Sequence, residues 1–287
     1  MKKSFLRIIV LSVVVFTIAL VVHSCKKREP DTDTVSATDN SICEGEFSRI
    51  FPQVNHIAVG DSGVQKNGYF FPLPESACPD YYIDSADVAD GFPVTMWLFY
   101  GSDNDGDSIY EQSCTGSDGK VRSGIIRAIF SAPWMQPGST ITHILKNFYV
   151  NSILYEGTVS VTRNAGAATF TQTVTNGKCS KGSNWTILWN SSRTVTTLMG
   201  DTLNPYDDVC LISGSADGTD RRGKTFSADI DPNNPLRREM GCTYIVKGIQ
   251  TIKMQGKMDR TIDYGDGTCD NKAKLIIDGN EFEFSLQ

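Results

Sequence analysis

In Thr158-Val159-Ser160-Val161-Thr162 apolar side chains alternate with hydroxyls at every position. A period of two fits an extended strand with one buried and one wet face, because successive Cβ atoms point to opposite sides of a pleated backbone. The alternation returns in Glu281-Phe282-Glu283-Phe284-Ser285-Leu286 and, with a two-sided end, in Lys274-Leu275-Ile276-Ile277. Turn residues separate such runs: Ser117-Asp118-Gly119, Gln136-Pro137-Gly138, Asn164-Ala165-Gly166, Asn176-Gly177, Ala216-Asp217-Gly218, Gly265-Asp266-Gly267 and Ile277-Asp278-Gly279-Asn280. Strands repeating at this spacing, with no helical pattern between them, pair with their neighbours antiparallel. Residues 91–287 are therefore expected to form a mainly β domain. It should be an antiparallel meander of about ten to twelve strands, closing as a curved sheet, a sandwich or a partly open barrel.

The period changes ahead of this domain. From Ser41 to Ala58 the residues Cys43, Phe47, Ile50, Phe51, Val54 and Ile57 recur every three or four positions. That predicts one short N-terminal helix with Asn40 or Ser41 as its cap, kinked or shortened at Pro52. Gly, Pro and aromatic residues follow through Asp90, so residues 41–90 read as a helix-containing lead-in. Residues 25–40 are polar without an apolar period and read as a flexible tether. Residues 1–24 open with Lys2, Lys3 and Arg7 and continue through an apolar run, Ile8 to Val22, broken only by Ser12 and Thr17, which is the pattern of an export signal. Val22-His23-Ser24-Cys25 resembles a bacterial lipobox, with His23 an unusual middle residue. The resemblance implies cleavage before Cys25, a diacylglycerol on its thiol and a palmitate-type acyl chain on its amino group. Several chains are what stable anchoring requires. The competing reading is an uncleaved membrane-spanning helix, which the apolar run nearly has the length to form. Lys26 after the Cys, by resemblance to lipoprotein sorting in diderm bacteria, implies the outer membrane. The surface and periplasmic faces both stay open, since Asp31 and Asp33 match acidic surface-export tags only loosely.

The whole chain carries 27 Lys and Arg against 33 Asp and Glu; without residues 1–24 the balance is 24 against 33, near −9. An acidic chain without clustered Lys and Arg argues against nucleic acid as a partner. Setting Cys25 aside, seven of the 8 cysteines remain, an odd number. In an exported protein they are expected to pair as disulfides. Cys242 and Cys269 sit at strand ends near one hairpin, and Cys78 could reach Cys114 across the first sheet strand. Cys179 with Cys210 is a third candidate, leaving Cys43 free or paired between molecules. No Cys-x-x-Cys spacing exists and only His56 and His143 follow the signal, so a zinc cluster is not expected.

Asp103, Asp105 and Asp107 alternate around Asn104 and Gly106, the oxygen-rich arrangement a hard cation such as calcium needs. It misses the EF-hand template, because Gly101 and Gln112 occupy the first and last ligand places; a solvated turn is the alternative. Asp263, Asp266 and Asp270 raise the same question and are explained by a Gly-Asp-Gly turn. Nucleophilic catalysis would have to use His56 or His143; no Gly-x-Ser-x-Gly elbow occurs, and His143 reads as an exposed strand residue. Trp97, Phe99 and Tyr100, or Trp185 and Trp189, are either core aromatics or a platform for sugar rings.

Four stretches together resemble an uncharacterised β-rich lipoprotein family of Bacteroidota. They are Gly116-Ser117-Asp118-Gly119-Lys120-Val121-Arg122-Ser123-Gly124-Ile125-Ile126; Asn147-Phe148-Tyr149-Val150-Asn151 with Glu156-Gly157-Thr158; Trp189-Asn190-Ser191-Ser192-Arg193; and Ile262-Asp263-Tyr264-Gly265-Asp266-Gly267-Thr268-Cys269-Asp270-Asn271-Lys272-Ala273. The likeness runs from about residue 40 to the end and implies a secreted, lipid-anchored β protein, with no activity or catalytic residue to carry over. Cys43, Cys179, Cys210 and the aromatic Met96-Trp97-Leu98-Phe99-Tyr100 depart from it.

These readings lead to an expectation: a noncatalytic envelope or cell-surface binding or structural module, held to the membrane by its lipid and meeting a glycan or an envelope protein. The alternatives are a carboxylate-based hydrolase acting on glycan, which needs two convergent acids, and a calcium-stabilised structural protein. Calcium at Asp103, Asp105 and Asp107 is the only cofactor expected under any reading. Nothing in the sequence sets the oligomeric state.

Overall fold

A computed structural model describes residues 31–60, 78–84, 91–107, 110, 112–116, 118–165, 169–198 and 208–286. The export signal, Cys25 and most of the tether lie outside the described residues, as does the side chain of His56. Among the described residues one helix, α1 (Val35–Gly60), precedes fifteen strands. These are β1 (Asp80–Ile83), β2 (Val94–Tyr100), β3 (Cys114–Thr115), β4 (Val121–Phe130), β5 (Thr140–Val150), β6 (Ile153–Arg163), β7 (Thr169–Lys181) and β8 (Trp185–Leu198), then β9 (Val209–Thr219), β10 (Thr225–Ile230), β11 (Leu236–Glu239), β12 (Ile245–Lys253), β13 (Arg260–Asp266), β14 (Lys272–Ile277) and β15 (Asn280–Ser285).

All of them join one antiparallel sheet, in the order β1-β2-β4-β5-β6-β7-β8-β9-β10-β12-β13-β14-β15. β3 pairs with β4. β11 fills the same gap between β9 and β12 that β10 fills further along. The chain is thus the expected meander, built as a single sheet and not as a two-sheet sandwich. The end strands β1 and β15 do not pair, so the barrel is not closed.

The helix is longer than its apolar pattern. It starts at Val35, where Asp33 Oδ1 accepts the Val35 N–H at 3.2 Å, and continues through Pro52 to Gly60. Residues 35–40, expected to belong to the tether, are helical, and Ala37, Asp39 and Asn40 are fully buried. No apolar period marks them because Asp39 and Asn40 enter the interior by polar pairing. Pro52 does not end the helix, since Phe51 and Val54 on either side of it are locked in the core.

The sheet has to curl around α1. Within the single turn Ile42–Glu46, polar or sulfur contacts reach β4, β6, β7, β8, β11 and β12. Flat, the seven steps from β4 to β12 would span about 34 Å, whereas a helix is about 10–12 Å across. Register shifts supply the bend: they fall in β4–β5 at Ser123/Ile125, β5–β6 at Ile144/Phe148, β6–β7 at Glu156/Thr158 and β7–β8 at Val174/Gly177. Each adds a residue to one strand and tightens the local twist. Gly124 carries one of them at φ 99°, where a Cβ would lie 2.0 Å from the Asn147 carbonyl oxygen. The apolar core then forms between helix and sheet, where Phe47 stacks on Trp189 at 5.4 Å and Trp134 on Phe170 at 5.5 Å.

Candidate functional site

The inner face of the sheet meets the polar side of α1 in a chain of buried ion pairs. Glu44 is bound by Arg193 of β8 and accepts from Gln250 Nε2 at 3.2 Å. Gln250 Oε1 in turn accepts from Asn40 at 2.8 Å and from Tyr264 at 2.9 Å, while Asn40 Oδ1 receives the Trp189 indole N–H at 3.0 Å. Two residues on, Glu46 takes Arg122 Nε at 3.2 Å and Lys120 Nζ at 3.4 Å. Asp118 bridges Arg122 and Arg49, each at 2.8 Å. Arg238 donates to the Gly45 carbonyl at 2.9 Å and to Ser48 Oγ at 3.0 Å, and Asp39 pairs with Arg221.

Burial alone would raise the Glu46 carboxyl, but Arg122, Lys120 and Arg49 outweigh it and hold it below the ordinary range. Burial likewise pushes Asp118 upward, and its bonds to Arg122, with the charge of Arg49, bring it down to about 2. These acids are therefore ionised and occupied. They position the helix against the sheet and are sealed from any polymer outside.

His143 points inward and is fully buried, contrary to its reading as an exposed strand residue. The bulge between Ile144 and Phe148 sets the phase of β5, placing His143 opposite Ala128 and Val159. Burial lowers it to about 4, and Nδ1 lies 2.9 Å from the Val159 carbonyl oxygen. A neutral imidazole in that place donates its Nδ1–H to this carbonyl.

The outer face differs in every respect. One rank runs Thr142, Ser160, Thr173, Ser192, Ser215 across five strands, and a second runs Thr140, Thr162, Thr171, Thr194, Ser213. Both are uncharged, with strands about 4.8 Å apart and same-face neighbours about 6.8 Å apart. A third rank begins with aromatics: Tyr82 of β1 pairs with Trp97 of β2, Trp97 with Arg127, Arg127 with Ile144 and Ile144 with Thr158. Arg127 lies 5.1 Å and Lys146 5.8 Å from the Trp97 ring centre, cation–π contacts that fix the indole. Tyr82 is 52% exposed, and Tyr149 and Leu188 are also exposed on this face. Of the aromatic candidates, Trp97 and Phe99 share this outer phase. Tyr100 is buried with its hydroxyl on Gln53 at 2.8 Å, Trp189 is buried against Phe47, and Trp185 lies under Arg221 at 4.7 Å.

Asp103, Asp105 and Asp107 do converge, with ligand atoms within 4.8 Å of one another. Asp103 Oδ1 accepts the Gly106 N–H at 2.7 Å and Asp105 Oδ1 the Asp107 N–H at 3.2 Å, bonds that fold the loop. Asp263, Asp266 and Asp270 act instead as turn acceptors for the backbone N–H groups of Gly265, Thr268 and Lys272.

Disulfides join Cys78 to Cys114 and Cys242 to Cys269, as expected. The third pairing, Cys179 with Cys210, is not made. Across β8, Cys179 stands opposite Ile187 and Cys210 opposite Thr197. Those ten residues of strand separate the two cysteines by about 33 Å. Cys179 faces Cys43 instead, and Cys210 packs against Thr197.

The ionic spine went unread in the sequence, although one signal was there. In Trp189-Asn190-Ser191-Ser192-Arg193-Thr194-Val195 the charge of Arg193 falls on the core-facing phase of the alternation. Its partner Glu44, 149 residues away, has no such mark. No helix among the described residues is long and apolar enough to cross a membrane. Neither a family model, nor a curated protein, nor a solved structure matches this chain.

Proposed function

We propose that this protein is a lipid-anchored outer-membrane lipoprotein acting as a noncatalytic binding module, and that its ligand is a glycan taken on the outer face of the sheet. The observation that carries this reading is the join, on one face, of Tyr82 and Trp97 to ranks of uncharged hydroxyls. Aromatic rings pack on the apolar face of a sugar, while hydroxyls act as donor and acceptor and so match sugar hydroxyls in either sense. Arg127 and Lys146 beside the indole would add hydrogen bonds to ring oxygens or to an acidic substituent.

The hydrolase alternative fares worse, because Asp39, Glu44 and Glu46 are buried and bound to cations, while the converging Asp103 and Asp105 accept backbone N–H groups of their own loop. Co-sedimentation of the folded chain with insoluble envelope and plant polysaccharides tests the proposal. Binding that falls at least tenfold in Trp97→Ala and Tyr82→Ala supports it, and binding unchanged in both discards this face. Protease shaving of intact cells, with a lysed control, separates a surface-facing protein from a periplasmic one. The calcium reading keeps a specific support in the convergence of Asp103, Asp105 and Asp107. It predicts that EDTA lowers the melting temperature and that Asp105→Asn abolishes the difference; no change on chelation discards it.

A further inference from the structure

We infer that Cys43 and Cys179 form a third disulfide, one that ties the central helix to strand β7. Both side chains are fully buried, and their sulfurs stand 2.9 Å apart. Non-bonded heavy atoms settle at about 3.5–4.0 Å, so two thiols held this close are already inside ordinary contact. A small side-chain adjustment brings them to the bond length of about 2.05 Å. The same chain carries disulfides at Cys78–Cys114 and Cys242–Cys269, so it folds where such bonds persist. Of the free cysteines, Cys210 cannot compete, since β8 holds it far from Cys179 in register.

Timing follows from thiol chemistry. Burial, and then the neighbouring Cys179, push the Cys43 thiol well above its ordinary value, so the folded protein offers no thiolate there. The bond therefore forms while α1 is still uncovered. One cysteine thiolate attacks the disulfide of an oxidant, either a thiol oxidase carrying a disulfide or an oxidised low-molecular-weight thiol, and expels one thiolate. The second cysteine attacks the mixed disulfide and expels the other. Two electrons pass from the cysteine pair to the oxidant, whose disulfide becomes two thiols, and the two cysteine protons end on those thiols.

The consequence is mechanical. Without this bond, α1 is held to the sheet by noncovalent contacts and by its chain connection across 136 residues to Cys179. With it, a pull on the segment before Val35 passes from helix to sheet through a covalent bond. The inference rests on geometry alone and stands whether or not the outer face binds glycan.

The test is a thiol map of the full chain, purified after export and denatured in iodoacetamide without reductant. Peptide mass mapping should then show Cys43 and Cys179 joined and unalkylated, with Cys210 alkylated. Adding reductant before the alkylating reagent should release both as separately alkylated peptides. Alkylated Cys43 and Cys179 in the unreduced sample would overturn the inference, as would a Cys179–Cys210 peptide. A Cys43→Ser, Cys179→Ser variant, if it folds, should melt at lower temperature than the unreduced parent; an unchanged melting temperature would count against a formed bond.

Discussion

The two faces of this sheet divide polar chemistry in opposite ways. The inner face carries Lys120, Arg122, Arg193, Arg238 and Arg260, all buried, against Asp39, Glu44 and Glu46 of the helix. Over β5 to β9 the outer face presents ranks of neutral Ser and Thr to solvent. Soluble proteins ordinarily keep charge outside, because an ion loses more on desolvation than a hydroxyl does. Here the charge serves to fix one helix in one register inside a curled sheet, since each acid finds its cation only when α1 is correctly turned. The two Ser/Thr ranks of the outer face are left polar but neutral, suited to a partner that offers hydroxyls, while charge on that face is confined to neighbouring positions such as Arg127, Lys146 and the Glu156–Lys178 pair.

Removing one half of an inner pair should have the largest effect. Arg193→Met leaves Glu44 buried without its cation and is expected to cost about 3–5 kcal/mol, whereas Glu44→Gln with Arg193→Met should recover most of the loss. Urea denaturation of the three variants measures it, and an Arg193→Met protein as stable as the parent would break the comparison. Acid should act next, with its largest effect through the inner face. His143 is lowered to about 4 when folded, so between its unfolded value near 6.5 and 4 the unfolded chain holds the extra proton. Stability should therefore fall as pH drops through that window, by about 3 kcal/mol in total. Glu46 and Asp118, both lowered, lose their contribution as pH falls from their unfolded values through their folded ones, for Asp118 down to about 2. Melting curves against pH, compared with His143→Leu, should show the upper part of the slope disappear in the variant.

Gly124→Ala strikes the bend that separates the faces. Its Cβ would meet the Asn147 carbonyl at a positive φ, and a loss of about 1–3 kcal/mol is expected by thermal denaturation. The smallest effect belongs to the outer face. Thr173→Val with Ser192→Val should change stability by less than about 0.5 kcal/mol while weakening polysaccharide co-sedimentation. A large stability loss there would show that the hydroxyl ranks are structural.

Much of this was legible because strand alternation is a local property. The pattern at Thr158 to Thr162 placed Val159 and Val161 inside, and both are fully buried. The turn at Asp278-Gly279 marks positive-φ positions that few residues other than Gly, Asn and Asp tolerate. Asn176-Gly177 and Ala216-Asp217-Gly218, expected as turns, lie instead inside β7 and β9, the first of them at the β7–β8 bulge, because a Gly or a positive-φ Asn serves a bulge as well as a turn. The helix was visible at Phe47, Ile50 and Val54 but not at Asp39 or Asn40, because a buried polar residue carries no sign of burial until its partner is known. The same reason misplaced Cys179 and His143: their surroundings depend on strand phase and register across β5, β7 and β8, which bulges reset.

By itself, then, the chain's alternation and turn chemistry determined an antiparallel meander, its helical lead-in and two of its disulfides, all encoded in neighbouring residues or in strands adjacent in sequence. Only the tertiary structure decided that the helix would be wrapped on several sides, that Glu44 would meet Arg193 and Cys43 face Cys179, and that Trp97 would stand outward beside Tyr82. Those contacts join residues far apart in sequence. They exist because a sheet bent by its bulges brings strands β4 to β12 around a single helical turn, a curvature that no stretch of sequence carries alone.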